Sequence, residues 1–361
     1  MQHTDIAIIG AGPIGIELAA AIKNARLEYI HLEAGQVGST MQWWAPGTKY
    51  FSSPERIAIA GVPLIIPDQE KATREHYLDY LLTVVGTHQL DIQTYTRVVE
   101  IKQTKDIDQP GFDIHTARSF HGVGGPEELT HQPQFATAST TYRAKRIVLA
   151  IGDMHTPRMI QVPGEDLPHV SHYLSDVHQY ANQRVVIVGG KNSAVEAAIR
   201  LFRAGAKVTM SYRGDSFDPD RIKYWLHPEI EYLIKKEKIS FIPHSTLESI
   251  TPEAVHITTD AGTKTTPADF VLLLTGYQQD QSLFEQLGIE LITDDRKPKI
   301  NLQTMETNVP GVYVAGTAVA GSQQRTKVFI ETSHIHVDRI VAALQNRISD
   351  AAPENFWLEE S

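Results

Sequence analysis

One stretch near the start, DIAIIGAGPIGIELA at 5–19, constrains the fold more than any other. Ile6 to Ile9 reads as a short buried strand, Gly10, Gly12 and Gly15 form a G-x-G-x-x-G turn, and an apolar helix follows without a gap. A buried parallel strand entering a glycine turn and then a helix is the dinucleotide-binding βα unit. Gly10 permits the tight turn, Gly12 leaves bare backbone for a diphosphate, and Gly15 lets the helix lie close on its strand. The positive end of the helix then faces the phosphate charge. A lone glycine fingerprint is weak evidence, because glycine turns occur in ordinary loops. Here strand, turn and helix are in register. A second strand over Tyr29 to Leu32 also ends in Glu33, an acid placed to accept from ribose hydroxyls.

The theme returns at 184–206, where RVVIVGG runs into KNSAVEAAIRLFRAGA, followed by a strand at 207–210 and the pair Tyr212-Arg213. Gly189 and Ala194 hold the first and last positions of the second turn, and Gly190 follows the first. Lys191 replaces the middle glycine, exchanging close backbone approach for a cation beside phosphate. Asn192 or Ser193 can cap the helix. Where the first unit ends its second strand in Glu33, this one ends in Arg213. An acid favours a free ribose 2′-hydroxyl, and an arginine accommodates a 2′-phosphate. FAD is therefore expected at the first site and NADPH at the second. A solvated strand-end charge is the alternative for Arg213, and Lys223 is a weaker candidate for added charge.

Composition narrows the chemistry. The 361 residues suggest two or three domains. There is no cysteine, which excludes disulfides, thiolate metal sites, thiol nucleophiles and a redox dithiol within the chain. Net charge is −10 without a dense basic run, which argues against nucleic acid or an anionic membrane as partner. No apolar stretch reaches the length of a membrane span, and the first strand starts too close to Met1 for a signal peptide, so a cytoplasmic location is expected. No metal is expected from the 16 scattered histidines; His334 and His336, two apart on a predicted helix, point to different faces.

Between the two turns, a long loop at 35–57 carries Trp43, Trp44, Tyr50 and Phe51, which either cover a flat ring or anchor the loop itself. A helix is predicted over 71–85, then β-prone runs at 91–94, 97–101, 112–115, 135–141 and 146–151, with a polar excursion at 118–134. Buried strands ending in Gly152, Gly276 and Gly316 follow in order, and a last helix is predicted over 328–347.

The ordered set GAGPIG, Glu33, LAIG, VGGKNSA, SYR, LLTGY and TNVPGVYVAG resembles the two-dinucleotide-binding flavoproteins. Within them, YFSSPERIAIAGVPLI (50–65), VIVGGKNSAVEAA (186–198) and VFIETSHIHVDRIV (328–341) most resemble the bacillithiol-disulfide reductase (YpdA) family. That resemblance implies an α/β fold of thioredoxin reductase type, with two Rossmann-like, three-layer ββα nucleotide-binding domains. The FAD domain would be discontinuous, 1–157 and 299–361, with the NADPH domain, 158–298, inserted. It implies FAD contacts at Gly10, Gly12, Pro13, Ile14, Gly15, Glu33, Gly152, Gly316 and Thr317, at Val99 through backbone, and at Phe329 and Ile330. It implies NADPH contacts at Gly189, Gly190, Lys191, Asn192, Ser193, Arg213 and Gly276, and a homodimer. Two departures stand out. Gly316-Thr317 replaces the Gly-Asp common in this architecture, and Ile14 stands where firmicute members carry a cysteine.

Two adjacent dinucleotide sites of different type imply an NADPH-dependent flavin oxidoreductase, with hydride passing from NADPH to the flavin. A helix start near Phe329 to Glu331 would stabilise a reduced flavin, and Glu331 and His334, at i and i+3, are candidates to move protons there; ordinary helix-surface residues are the alternative. The electron acceptor is expected to be a low-molecular-weight disulfide, a quinone or a redox protein. A flavin monooxygenase-like enzyme and a non-catalytic FAD/NADPH redox sensor are the alternatives.

Overall fold

The computed structural model describes residues 1–104, 110–118, 136–322 and 328–350. The excursion beyond Arg118 and the acidic tail from 351 lie outside the described residues. Two compact units emerge. One comprises 1–43, 47–156 and 277–361, and the other 44–46 and 157–276. The sequence expectation put 277–298 in the inserted domain, but this segment packs with the first unit. Its helix Ser282–Leu287 lies on an edge strand, and Gln286 accepts from the Ile101 amide at 3.1 Å.

The first unit is built around β1 (Gln2–Ile9), α1 (Pro13–Asn24), β2 (Tyr29–Leu32), α2 (Arg74–His88), β3 (Thr96–Gln103), β4 (Phe112–Arg118) and β5 (Ala136–Leu149). A return strand, Val312–Val314, and a last helix, His334–Leu344, complete it. The sheet runs β2-β1-β5-β4-β3, with the return strand also on β5. β5 is the pivot. Its C-terminal part lies parallel between β1 and the return strand, while the earlier part pairs antiparallel with β4. The two runs expected at 135–141 and 146–151 are thus one continuous strand, because Tyr142 and Ala144 bury on one side while Arg143 and Lys145 ion-pair with Asp113 and Asp5. No strand forms over 91–94, where a single bridge joins Gln93 to Leu32.

Two other boundaries move for local reasons. α2 starts at Arg74 because Thr73 and His76 form a reciprocal capping box. The last helix starts at His334, later than the expected 328. The Ser333 hydroxyl donates to the Phe329 carbonyl at 2.6 Å, and the Phe329 amide donates to Thr332 Oγ1 at 2.9 Å, so side chains hold 329–333 in a turn. In the long loop, Trp43 and Tyr50 are buried, and Tyr50 packs 4.6 Å from the Tyr77 ring. These aromatics anchor the loop.

The second unit is a parallel sheet of five strands around β6 (Arg184–Val188), α3 (Asn192–Arg203), β7 (Lys207–Ser211) and β8 (Phe270–Leu273). Period-two alternation decides its faces. Val185 and Ile187 join the core beneath α3, whereas Val186, Val271 and Leu273 join Val255 and Ile257 of the three-stranded antiparallel sheet at 246–267. Among the described residues, no helix is long and apolar enough to cross a membrane.

Candidate cofactor sites

In the first unit three neighbouring parallel strands run out at one edge into glycine: β1 into Gly10, β5 towards Gly152, and the return strand into Gly316. The crevice beyond the carboxyl ends of such strands is where open α/β sheets bind ligands. Gly10 adopts φ +104°, and a Cβ there would lie 2.4 Å from the Ala150 carbonyl oxygen. At Gly15 a Cβ would lie 2.0 Å from the Gly10 carbonyl oxygen. Both glycines are required by the protein's own packing. Gly12 is different. Its φ of −75° suits any residue, and a Cβ there would meet nothing within 4 Å. The fold leaves open space at the position where a diphosphate would lie on bare backbone. α1 begins there with Pro13 and has no acid in its own first turn to offset its positive end. These residues fit a dinucleotide.

Glu33 is buried and tied to the turn. Its Oε2 accepts from the Ala11 amide at 2.6 Å, and its Oε1 accepts from the Gly35 amide at 2.7 Å and the Ser39 hydroxyl at 3.1 Å. Burial pushes this carboxyl up from its ordinary value, against those hydrogen bonds and the nearby Arg97 guanidinium. Two carboxylate oxygens offer about four acceptor positions, so a further donor can be taken. Ile14 is buried with its side chain against Gly316, and the Thr317 hydroxyl faces Gly152. Val99 sits at a bulge in β3, and its carbonyl accepts from Gln286 at 3.4 Å. Phe329 is 43% exposed, on the turn that precedes the last helix.

Glu331 and His334 are held separately. Ser52 donates to Glu331, while His334 Nδ1 pairs with Glu17 at 2.8 Å and its Nε2 reaches the Arg56 carbonyl at 3.2 Å. The bond to Glu17 raises the His334 pKa. Glu331 precedes the helix, so the expected shared helical face is absent. His336 is buried, as the opposite-face reading of the two histidines requires.

In the second unit, Gly189 takes φ +148° against the Leu274 carbonyl, and the Tyr212 ring closes on Gly190, where a Cβ would lie 2.4 Å from it. Lys191 is the N-cap of α3 without a side-chain capping bond. Neither expected cap forms, because the Asn192 side chain accepts from the Lys223 amide at 3.2 Å and α3 already starts at Asn192. Lys223 is buried and paired with Glu196 at 2.7 Å, so its charge is spent inside the protein. The Lys191 ammonium is held below its ordinary pKa, first by desolvation and then by Arg221, Arg158 and Arg213, against Asp218. Four cations thus gather near one helix start, their charge partly offset by Asp218, which pairs with Arg221 at 3.0 Å. Arg158 and Arg221 carry no motif and escape a reading by spacing. The Arg158 amide donates to the Gly276 carbonyl at 2.9 Å, so the predicted Gly276 sets the position of an unpredicted arginine. Among the described residues, no group of three or more histidines and acids could hold a metal.

The sequence profile of the pyridine nucleotide-disulphide oxidoreductase family matches residues 7–122 and 127–316. The chain belongs to this family. It is 32% identical to the bacilliredoxin reductase Bdr of Bacillus subtilis over 94% of this chain and 97% of that protein. The solved bacillithiol disulfide reductase Bdr (YpdA) of Bacillus cereus superposes with a TM-score of 0.86 at 30% identity, covering 96% of this chain and 99% of that one. Its Staphylococcus aureus counterpart gives 0.84 at 30% identity with the same coverage. This oxidoreductase therefore has the thioredoxin reductase-like two-domain fold, and is an NAD(P)H-dependent flavin enzyme using FAD with NADPH as donor.

Proposed function

We propose that the turn at Gly10–Gly15 holds FAD, that the turn at Gly189–Ala194 holds NADPH, and that electrons pass to an external acceptor without any thiol of this chain. The contrast between the two turns carries the reading: a buried acid bound to the first, and four cations around the second. Bound FAD would supply two-electron acceptance from the nicotinamide. Gly12 and the start of α1 would receive its diphosphate, and Glu33 its adenosine ribose. Lys191, Arg158, Arg213 and Arg221 would receive the phosphates of NADPH, the 2′-phosphate included.

A low-molecular-weight disulfide is the favoured acceptor, since the relatives are named for bacillithiol disulfide and bacilliredoxin. The net reaction balances as NADPH + H⁺ + RSSR to NADP⁺ + 2 RSH. With no cysteine in the chain, no mixed disulfide with the protein can lie on that route. The deciding experiment mixes the flavin-loaded protein with NADPH under argon and then offers disulfides, quinones and small redox proteins in turn. Flavin bleaching by NADPH and reoxidation by a disulfide support the proposal. A flavin that stays oxidised refutes electron transfer, and reoxidation only by a quinone, a redox protein or oxygen refutes the disulfide.

A further inference from the structure

Gly10, Gly152 and Gly316 lie just beyond the ends of three adjacent strands; the Gly10 amide still donates to the Leu32 carbonyl at 2.8 Å, while the Gly10 carbonyl, the Gly152 carbonyl and the Gly316 amide turn to side chains. Each of these three groups is met by one buried polar side chain. His31, on β2 and fully buried, reaches the Gly10 carbonyl through Nε2 at 2.8 Å. Gln279, 6% exposed, donates through Nε2 to the Gly152 carbonyl at 2.9 Å and the Ala318 carbonyl at 3.0 Å. His336, fully buried on the last helix, accepts the Gly316 amide at Nδ1 over 3.1 Å.

The partners set the tautomers. A carbonyl only accepts, so His31 carries its proton on Nε2. An amide only donates, so His336 Nδ1 is bare and its proton also sits on Nε2. His336 must therefore be neutral to act as acceptor, while His31 is the donor and its burial disfavours the charged ring. Burial lowers the His31 pKa to about 4. It lowers that of His336 to about 3, with repulsion from Arg339 and His334 added. Apolar side chains would fill these positions without burying polar atoms, so hydrogen bonding is what these three residues add.

We propose that His31, Gln279 and His336 are positioning residues that fix the backbones of Gly10, Gly152 and Gly316 for FAD. The proposal rests on reading the first site as the FAD site. Glutamine carries its amide where a histidine has Nε2, and asparagine where it has Nδ1, so reciprocal replacements test it. His31→Gln and His336→Asn keep the required atom and should hold FAD within about threefold of wild type, with an unshifted visible flavin band. His31→Asn and His336→Gln are equally polar but misplace it, and should weaken FAD roughly tenfold and shift the band. Gln279→Glu keeps the shape without donors and belongs with the second group. Equal FAD affinity and spectrum across the histidine variants, with only melting temperature changed, would overturn the positioning role. A wild-type chain that takes up no FAD would instead overturn the reading on which it rests.

Discussion

Arg213 lies two residues beyond β7, close to the place Glu33 takes just after β2, and it acts on Lys191 together with Arg158 and Arg221. Charge-assisted bonds to a 2′-phosphate are worth about 1.5–3 kcal/mol. Arg213→Ala should therefore raise KM for NADPH roughly ten- to a hundredfold while barely changing KM for NADH. Equal losses with both nucleotides would remove the assignment. His334 offers a test by pH. Its pKa is raised above the ordinary 6.5 by the hydrogen bond to Glu17, so the pair stabilises fully below 6.5, and that stabilisation is lost as pH rises through the raised value. His334→Gln should lower the denaturation midpoint more at about pH 6 than at about pH 9, with a difference of at most about 1 kcal/mol for a partly exposed pair. A cost that does not vary with pH would show the ion pair to be idle. Gln279, His31 and His336 had no sequence signal, since a buried side chain that bonds to backbone follows no spacing rule.

The glycine turn is an element whose members have separable jobs. Gly15→Ala puts a methyl against the Gly10 carbonyl and should destabilise the protein before any ligand is considered, by about 1–3 kcal/mol for overpacking. Gly12→Ala points into open space, so the apoprotein should melt as wild type does while FAD binding falls at least roughly tenfold. Thermal melting with and without FAD separates the two; a Gly12→Ala protein that binds FAD normally would mean that the diphosphate lies elsewhere. Strands and turns of this kind were readable because glycine and buried apolar runs respond to backbone geometry alone. Element ends were less so. The start of the last helix depends on hydroxyls of Thr332 and Ser333 bonding back to Phe329, a competition that apolar periodicity does not reveal. β5 stays continuous because its middle is laddered to β1 on one side and β4 on the other, contacts distant along the chain that its polar Arg143 and Lys145 do not announce.

For the molecule as a whole, the absence of cysteine gives the sharpest prediction. Treatment with a thiol-alkylating reagent should leave NADPH oxidation unchanged, and turnover on a disulfide should leave no mass adduct on the chain. Inhibition or a covalent adduct would demand a nucleophile other than sulfur. The two-unit plan was visible in the repeated βα motif, whereas the return of 277–298 to the first unit was not, because it rests on contacts such as Gln286 with Ile101. That interrupted plan also imposes an order in time. Val312 must find Ile147 after the entire second unit has been made, whereas β6, β7 and β8 need only one another. Contacts distant along the chain form late, and units complete in themselves fold as they emerge from synthesis. Nascent chains halted before the return strand should already resist protease over 157–276 yet retain no flavin. The crevice read first in the sequence would then be the last to close, and the ribosome rather than the cofactor would set when flavin is first captured.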